Sequence, residues 1–319
     1  MSSRRATTRT GSDMRAVVYS EYNGAIEVTD IDEPKIGPDW VKVAVRASSV
    51  NPVDWKIATG GLDAILDTYF PVVPGWDVAG VVEEVGPSVT ELEVGDEVFG
   101  YVRKDAVQGG TYAEKVGAPI RTLAKKPASA SFEQAAAIPL AGLTAFQALV
   151  HHLDVGSDDV VLVHAASGGV GSFAVQIAKS LGVRVIGTAS ERNHDYLREL
   201  GAEPVTYGDG LVERVRALAP DGVTAVLDLS GADLDTTPDV LAEGSEGRVA
   251  SIIDPSVKEM GGRYVFVRPD ADDLEELAGM FDDGALAVEI AETFPLAETQ
   301  KAWDLSQEGH TRGKIVITV

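Results

Sequence analysis

Along the second half of the chain, short apolar runs alternate with segments whose apolar positions recur at helical spacing. Val160–His164 is apolar, a Gly-rich turn follows, Val170–Leu181 carries a helical period closed by Gly182, and Val183–Thr188 is apolar again. That succession predicts a strand–helix–strand unit. Further strands are predicted at Pro204–Tyr207, Ala225–Leu229, Val249–Ile253 and Tyr264–Val267, with helices at Asn193–Leu200, Leu211–Ala219 and Asp233–Ala242. The order implies an α/β fold with a doubly wound parallel sheet, which takes ligands at the carboxyl ends of its strands.

Upstream the pattern is different. Met14–Tyr19, Ala25–Thr29, Val41–Val50, Val78–Val85 and Thr111–Val116 are short and mostly rich in β-branched residues, and Gly and Pro turns break them up. They predict a compact, partly open β-barrel. A short helix is expected at Val53–Thr59 and a longer one at Leu140–Leu153. A last helix (Leu296–Gln307) and strand (Lys314–Val319) match the first region in character. The expected organisation is a disordered tail over 1–13, a β-rich domain over 14–138 and 290–319, and a nucleotide-binding domain over 139–289.

Composition narrows the chemistry. With 319 residues the chain is long enough for two cores, and no apolar run approaches the ~20 residues of a membrane span. Neither the Arg4-Arg5 pair nor the rest of the Ser/Thr/Arg-rich tail precedes an apolar segment, so the expected location is cytoplasmic. Fifty acidic against 27 basic residues give a net charge of −23, which disfavours nucleic acid as a partner. The same charge suits a high-salt habitat or an ordinary acidic soluble protein. There is no cysteine, which rules out disulfides, thiol nucleophiles and thiolate metal sites. The five histidines lack metal-ligand spacing.

The turn between the first two strands of the parallel unit, HAASGGVG (His164–Gly171), fits the dinucleotide template G-x-G-x-x-G with Ala166, Gly168 and Gly171 at its fixed positions. Gly168 allows the backbone to approach a pyrophosphate, Gly171 allows the helix to approach the strand, and Ser167, Gly169 and Val170 complete the cradle. The next strand ends at Ala189-Ser190 instead of the Asp or Glu that takes a ribose 2′-hydroxyl in NAD enzymes. Ser190 with Arg192 favours the 2′-phosphate of NADPH, and Glu191 argues the other way, for NADH.

Six motifs in order carry a resemblance. SSVNPVDWKI (Ser48–Ile57), PGWDVAGVVEEVG (Pro74–Gly86), GDEVFG (Gly95–Gly100), AAIPLAGLTAFQAL (Ala136–Leu149), HAASGGVG and RGKIVI (Arg312–Ile317) together resemble the medium-chain dehydrogenase/reductase superfamily. The likeness is to its zinc-independent, quinone oxidoreductase-like branch and covers nearly all of the chain beyond Met14. It implies a GroES-like catalytic domain beside a Rossmann domain, and NADP as cofactor. The zinc-ligand positions of zinc-dependent relatives match Asn51, Trp76 and Ala141, a set unable to hold the metal. The resemblance also implies that Ser190 and Tyr207 bind the 2′-phosphate, that His310 and Arg312 contact the cofactor, that Thr144 faces the crevice, and that a homodimer forms through the edge near Tyr264–Val267.

Without a metal, the acceptor must itself stabilise the charge that hydride brings, as quinones and α,β-unsaturated carbonyl compounds do. Asn51 is the first catalytic candidate, as a donor to the substrate carbonyl or the nicotinamide, or else a side chain pinning the Asn-Pro turn. Lys56 is the second, on the short helix beyond. Trp55 and Trp76 are candidate cleft walls or plain core aromatics. Ser251 and Phe266, at the ends of late strands, are expected to frame the nicotinamide. No residue declares itself as the proton donor. A second function fits the same residues: an NADPH-binding protein with a structural or redox-sensing role and little turnover.

Overall fold

The computed structural model describes residues 13–309 and 311–319. In chain order the first region runs β1 (Asp13–Val18), β2 (Glu27–Asp32), β3 (Trp40–Val50), α1 (Pro52–Ala58), β4 (Asp67–Val73), β5 (Asp77–Val85), β6 (Glu97–Tyr101), β7 (Ala106–Gly109), β8 (Lys115–Pro119), β9 (Leu123–Lys125) and α2 (Phe132–Ala136). The long helix follows as α3 (Pro139–Phe146), extended by a π-helical turn over Gln147–His152. Then come β10 (Val160–Val163), α4 (Gly169–Ser180), β11 (Arg184–Thr188), α5 (His194–Leu200), β12 (Glu203–Val205), α6 (Leu211–Leu218), β13 (Ala225–Asp228), α7 (Thr237–Val240), β14 (Val249–Ser251), β15 (Arg263–Tyr264) and α8 (Ala271–Asp282). The chain closes with β16 (Ile290–Pro295), α9 (Thr299–Gln307) and β17 (Lys314–Thr318).

Two sheets organise these elements. One is wholly parallel, in the order β12-β11-β10-β13-β14-β15. The order reverses between β10 and β13, and a doubly wound sheet opens its ligand crevice at that switch point. The other follows the path β16-β17-β3-β5-β6-β9, with β8 also paired to β3, and every pairing except β16–β17 is antiparallel. Strand β17 lies beside β3, so the last residues of the chain meet the start of α1. Among the described residues no helix is long and apolar enough to cross a membrane.

Several expected elements shift, each for a visible reason. Asp13, expected in the tail, opens β1 and pairs with Asp32. The second strand is Glu27–Asp32 rather than Ala25–Thr29, because pairing with β1 carries an exposed acidic stretch that apolar patterning does not mark. The ladder to β3 starts at Lys115, while the amides of Thr111 and Tyr112 are taken by the carbonyls of Gly75 and Pro74. No strand is expected between the short helix and Val78, yet β4 forms there and finds its partner in β7. The strand expected at Tyr264–Val267 shrinks to Arg263–Tyr264; beyond it, Val265 gives one hydrogen bond to Ser251 and the chain turns along the crevice.

The turn before α4 explains its glycines. A Cβ on Gly171 would lie 2.4 Å from the Ala165 carbonyl oxygen and 2.6 Å from Ala166 Cα, both backbone atoms that cannot yield. On Gly168 it would meet only the Ala165 oxygen at 3.3 Å. Gly171→Ala is therefore expected to lower unfolding free energy in urea by about 1–3 kcal/mol, and Gly168→Ala by less than about 1 kcal/mol. Equal stability of the two variants would show that α4 does not need that close approach.

Candidate active site

A cleft of about 540 Å³ lies between the two sheets. One wall is the Gly168–Gly171 turn with Leu229, Ile252, Ile253 and Tyr264–Val267; the other carries Asn51, Lys56, Trp76, Tyr101 and Lys314. The amides of Gly169, Val170 and Gly171, which open α4, have no partner among the described residues. Leading helical amides of this kind suit an anion. The charged residues among those lining the cleft are Lys56 and Lys314, and no Asp or Glu is among them. In a chain with 50 acidic residues, that is a local reversal of sign.

Beneath the floor of the cleft is a buried polar cluster. Asn51 precedes α1, where an asparagine commonly caps with its side chain. Here Asp54 Oδ2 makes the cap instead, accepting from the Asn51 amide at 2.8 Å. The Asn51 side chain is thereby released: Nδ2 donates to Asp77 Oδ2 (2.8 Å), and Oδ1 accepts from Lys314 Nζ (2.5 Å). Lys314 also donates to the Val50 carbonyl (3.2 Å) and lies 3.9 Å from Asp77. Asp77 accepts further from Ser49 Oγ (2.7 Å) and from the Leu140 amide at the start of α3 (2.8 Å). Tyr112 donates its hydroxyl to Asp54 at 2.8 Å.

Burial dominates the ionisation of this cluster. It pushes the Asp54 carboxyl up to about 7, against the hydrogen bonds from Asn51 and Tyr112. It also raises Asp77, opposed first by the charge of Lys314, and lowers Lys314, opposed by Asp77 and Asp54. Two carboxyls and one ammonium thus approach neutrality when Asp54 holds its proton.

The other expected site residues divide. Thr144 lines the cleft with its hydroxyl on the Leu140 carbonyl (2.6 Å), and Phe266 lines it with the Arg103 guanidinium 5.3 Å from its ring. Lys56 stands exposed at the rim, 5.5 Å from the Trp55 ring. Trp76 is a cleft wall, packed edge-on to Tyr101, whereas Trp55 is not among the lining residues and donates its indole N–H to Ser306, which is. Ser167 and Ser190 are joined through Asn193, which donates to both hydroxyls (3.1 and 3.4 Å). Arg192 and Tyr207, exposed, lie just past the ends of the paired strands β11 and β12, and Arg192 has no ion-pair partner among the described residues. Ser251 points away from the cleft, fully buried, with Oγ on Asp228 Oδ2 (2.7 Å). Arg312 is engaged by Glu289 (2.8 Å) and lies 4.9 Å from the Tyr196 ring. His310 lies outside the described residues.

Asp77, Lys314 and Asn193 do not emerge from sequence reasoning. A signal existed for the first two: a single charged residue in each of two otherwise apolar strand starts, DVAGVV and KIVI. Asn51, Trp76 and Ala141 do come together on the cleft. Trp and Ala offer no metal-binding atom, and Asn51 has its oxygen committed to Lys314.

Comparison with known proteins agrees with this geometry. Residues 37–128 match the alcohol dehydrogenase GroES-like domain and residues 200–317 the zinc-binding dehydrogenase family. The chain is 30% identical to the chloroplast envelope quinone oxidoreductase homolog of Arabidopsis thaliana, over 96% of this chain and 99% of that one. It is 35% identical to the chloroplastic NADPH-dependent alkenal/one oxidoreductase of the same plant, over 96% and 79%. The solved structure of the quinone oxidoreductase from Coxiella burnetii superposes with a TM-score of 0.82 at 32% identity, over 96% and 99%.

A carboxyl held protonated by the fold links stability to pH. Asp54 titrates near 7 when folded and near 4 when unfolded, so its contribution is full below about pH 4 and is lost as pH rises to 7. Asp54→Asn, which keeps an acceptor for Tyr112, removes that loss. The stability of the wild type relative to this variant should fall by about 1 kcal/mol per pH unit between pH 5 and 7, read by urea denaturation. A difference that stays constant across that range would mean Asp54 is ionised throughout.

Proposed function

The chain belongs to the medium-chain dehydrogenase/reductase superfamily, in its quinone oxidoreductase-like branch, and from that premise we propose that it is an NADPH-dependent, zinc-independent reductase of quinones or α,β-unsaturated carbonyl compounds. The observation that carries the reading is the meeting of two sites in one cleft: the glycine turn that suits a dinucleotide, and Asn51 held between Lys314 and Asp77.

The residues fit the cofactor. Gly168 leaves its side toward the cleft free of a Cβ, and the leading amides of α4 would hold the pyrophosphate. Ser190, Asn193, Arg192 and Tyr207 would hold the 2′-phosphate, with Thr144 and Phe266 beside the nicotinamide. Glu191 is exposed and has solvent to turn into, which weakens its argument for NADH. When bound, the reduced nicotinamide supplies a hydride, and the conjugated acceptor takes the resulting charge onto its oxygen. Asn51 orients that oxygen. Its Oδ1 is fixed by Lys314 and one Nδ2–H by Asp77, so one Nδ2–H is left to donate. The apolar wall, including Trp76, Tyr101 and Leu140, excludes water from the reacting face.

The test is NADPH and NADH oxidation against a panel of quinones, alkenals and enones. NADPH is expected to give at least about tenfold higher kcat/KM, and Arg192→Ala to remove most of that preference, the value of one charge-assisted hydrogen bond. Equal or better kcat/KM with NADH would sink the cofactor assignment. Asn51→Ala should lower kcat about 10- to 100-fold with little change in NADPH affinity; undiminished activity would remove Asn51 from the chemistry. Stoichiometric NADPH binding without consumption across the panel would favour the structural or redox-sensing role.

A further inference from the structure

The sequence declares no proton donor, yet reduction of a carbonyl-conjugated acceptor by hydride needs one. The left-handed turn at Gly313 (φ 81°) delivers Lys314 to the start of β17, where its side chain runs below Gly169 toward Asn51. An ammonium has three N–H donors. Lys314 spends one on Asn51 Oδ1 and one on the Val50 carbonyl, while Asp77 at 3.9 Å is beyond hydrogen-bond reach. The third has no partner among the described residues, and Lys314 forms part of the cleft wall beside Asn51. Two neighbouring groups, already in contact, therefore each retain one donor for a substrate oxygen.

We infer that Lys314 is a catalytic residue of the proposed reduction, giving the proton from Nζ to the carbonyl oxygen that Asn51 holds. The step balances. As hydride adds to the conjugated system, an electron pair moves onto oxygen; an Nζ–H bond breaks and an O–H bond forms. An enone then gives its enol, which tautomerises to the ketone, and a quinone gives the hydroquinone. The neutral amine recovers a proton from water once product leaves. Burial makes Lys314 a stronger acid than an exposed lysine, as a donor at this site requires. The groups facing it are Asp77 on β5 and Asp54 on α1, both of which raise it, with Tyr112 bonded to Asp54.

The inference rests on the reductase reading, and the experiment separates the two. In cofactor-free protein labelled with 15N-lysine, burial lowers both Lys104 and Lys314 below the exposed lysines, and the depressed Nζ resonance that vanishes in Lys314→Gln and persists in Lys104→Gln is that of Lys314. In the wild type kcat should fall with pH through that same midpoint and show a solvent deuterium isotope effect. Lys314→Gln and Lys314→Arg should each lose about 10²- to 10⁴-fold in kcat and lose the high-pH fall, the range expected for a missing general acid. If neither variant folds, the wild-type titration and pH profile still decide. A kcat that is flat through the Nζ midpoint, or an arginine variant with wild-type kcat, would overturn the donor role while leaving the reduction intact. No turnover with any acceptor would overturn the reduction and the donor role together.

Discussion

The contact on which the site depends is the one between Lys314 and Asp77, with Asn51 shared between them. It joins four elements distant in sequence: β5 through Asp77, the entry to α1 through Asn51, β17 through Lys314, and α3 through the Leu140 amide. Opposite charges 4 Å apart attract by about 4 kcal/mol at an effective dielectric of ~20. Desolvating each ion costs several kcal/mol, so the pair contributes little net stability while breaking it costs about 3–5 kcal/mol. Its value is positional. The cluster fixes where Asn51 points, and through Leu140 it fixes α3, whose Thr144 stands on the cleft.

The cluster keeps cationic character where Asn51, Trp76 and Ala141 meet, the positions that the resemblance matches to zinc ligands. A positive charge is still supplied, now by an ammonium on a strand start. Unlike a metal ion, an ammonium can give up a proton, and burial beside only partly compensating carboxyls makes that easier. Hydride acceptors that spread charge over a conjugated system ask for no stronger electrophile.

What the sequence made legible follows from period and spacing. The parallel half was readable because each apolar run and helical segment is separate and the glycine turn sits between a strand and a helix. Thr144, Phe266 and the Gly168–Gly171 turn, all expected near a cofactor, line the cleft. The buried cluster was not readable, because the two bonds that fix Asn51 join it to residues 26 and 263 positions away, Asp77 and Lys314. Ser251 misleads because of where its strand ends. It is the last residue of β14 and turns its hydroxyl to Asp228, and the residues just past the strand end, Ile252 and Ile253, are the ones that meet the cleft. Arg312 lies between the cleft-lining Thr311 and Gly313, but its side chain turns to Glu289. Helix α8 gives a weak apolar signal because Leu274, Leu277 and Phe281 are interleaved with acids.

The segregation of charge between surface and cleft has a kinetic side. A chain of net charge −23 repels an anionic dinucleotide at distances within the Debye length, about 8 Å at physiological ionic strength. Inside the cleft the nearest charges are lysines and free helical amides. Approach and retention are therefore governed by opposite fields: the acidic exterior restrains the rate of encounter, and the interior sets the residence time. Added salt relaxes the first far more than the second, since exposed charges are screened and buried ones are not. Salt should therefore show itself in how fast a dinucleotide arrives more than in how long it stays.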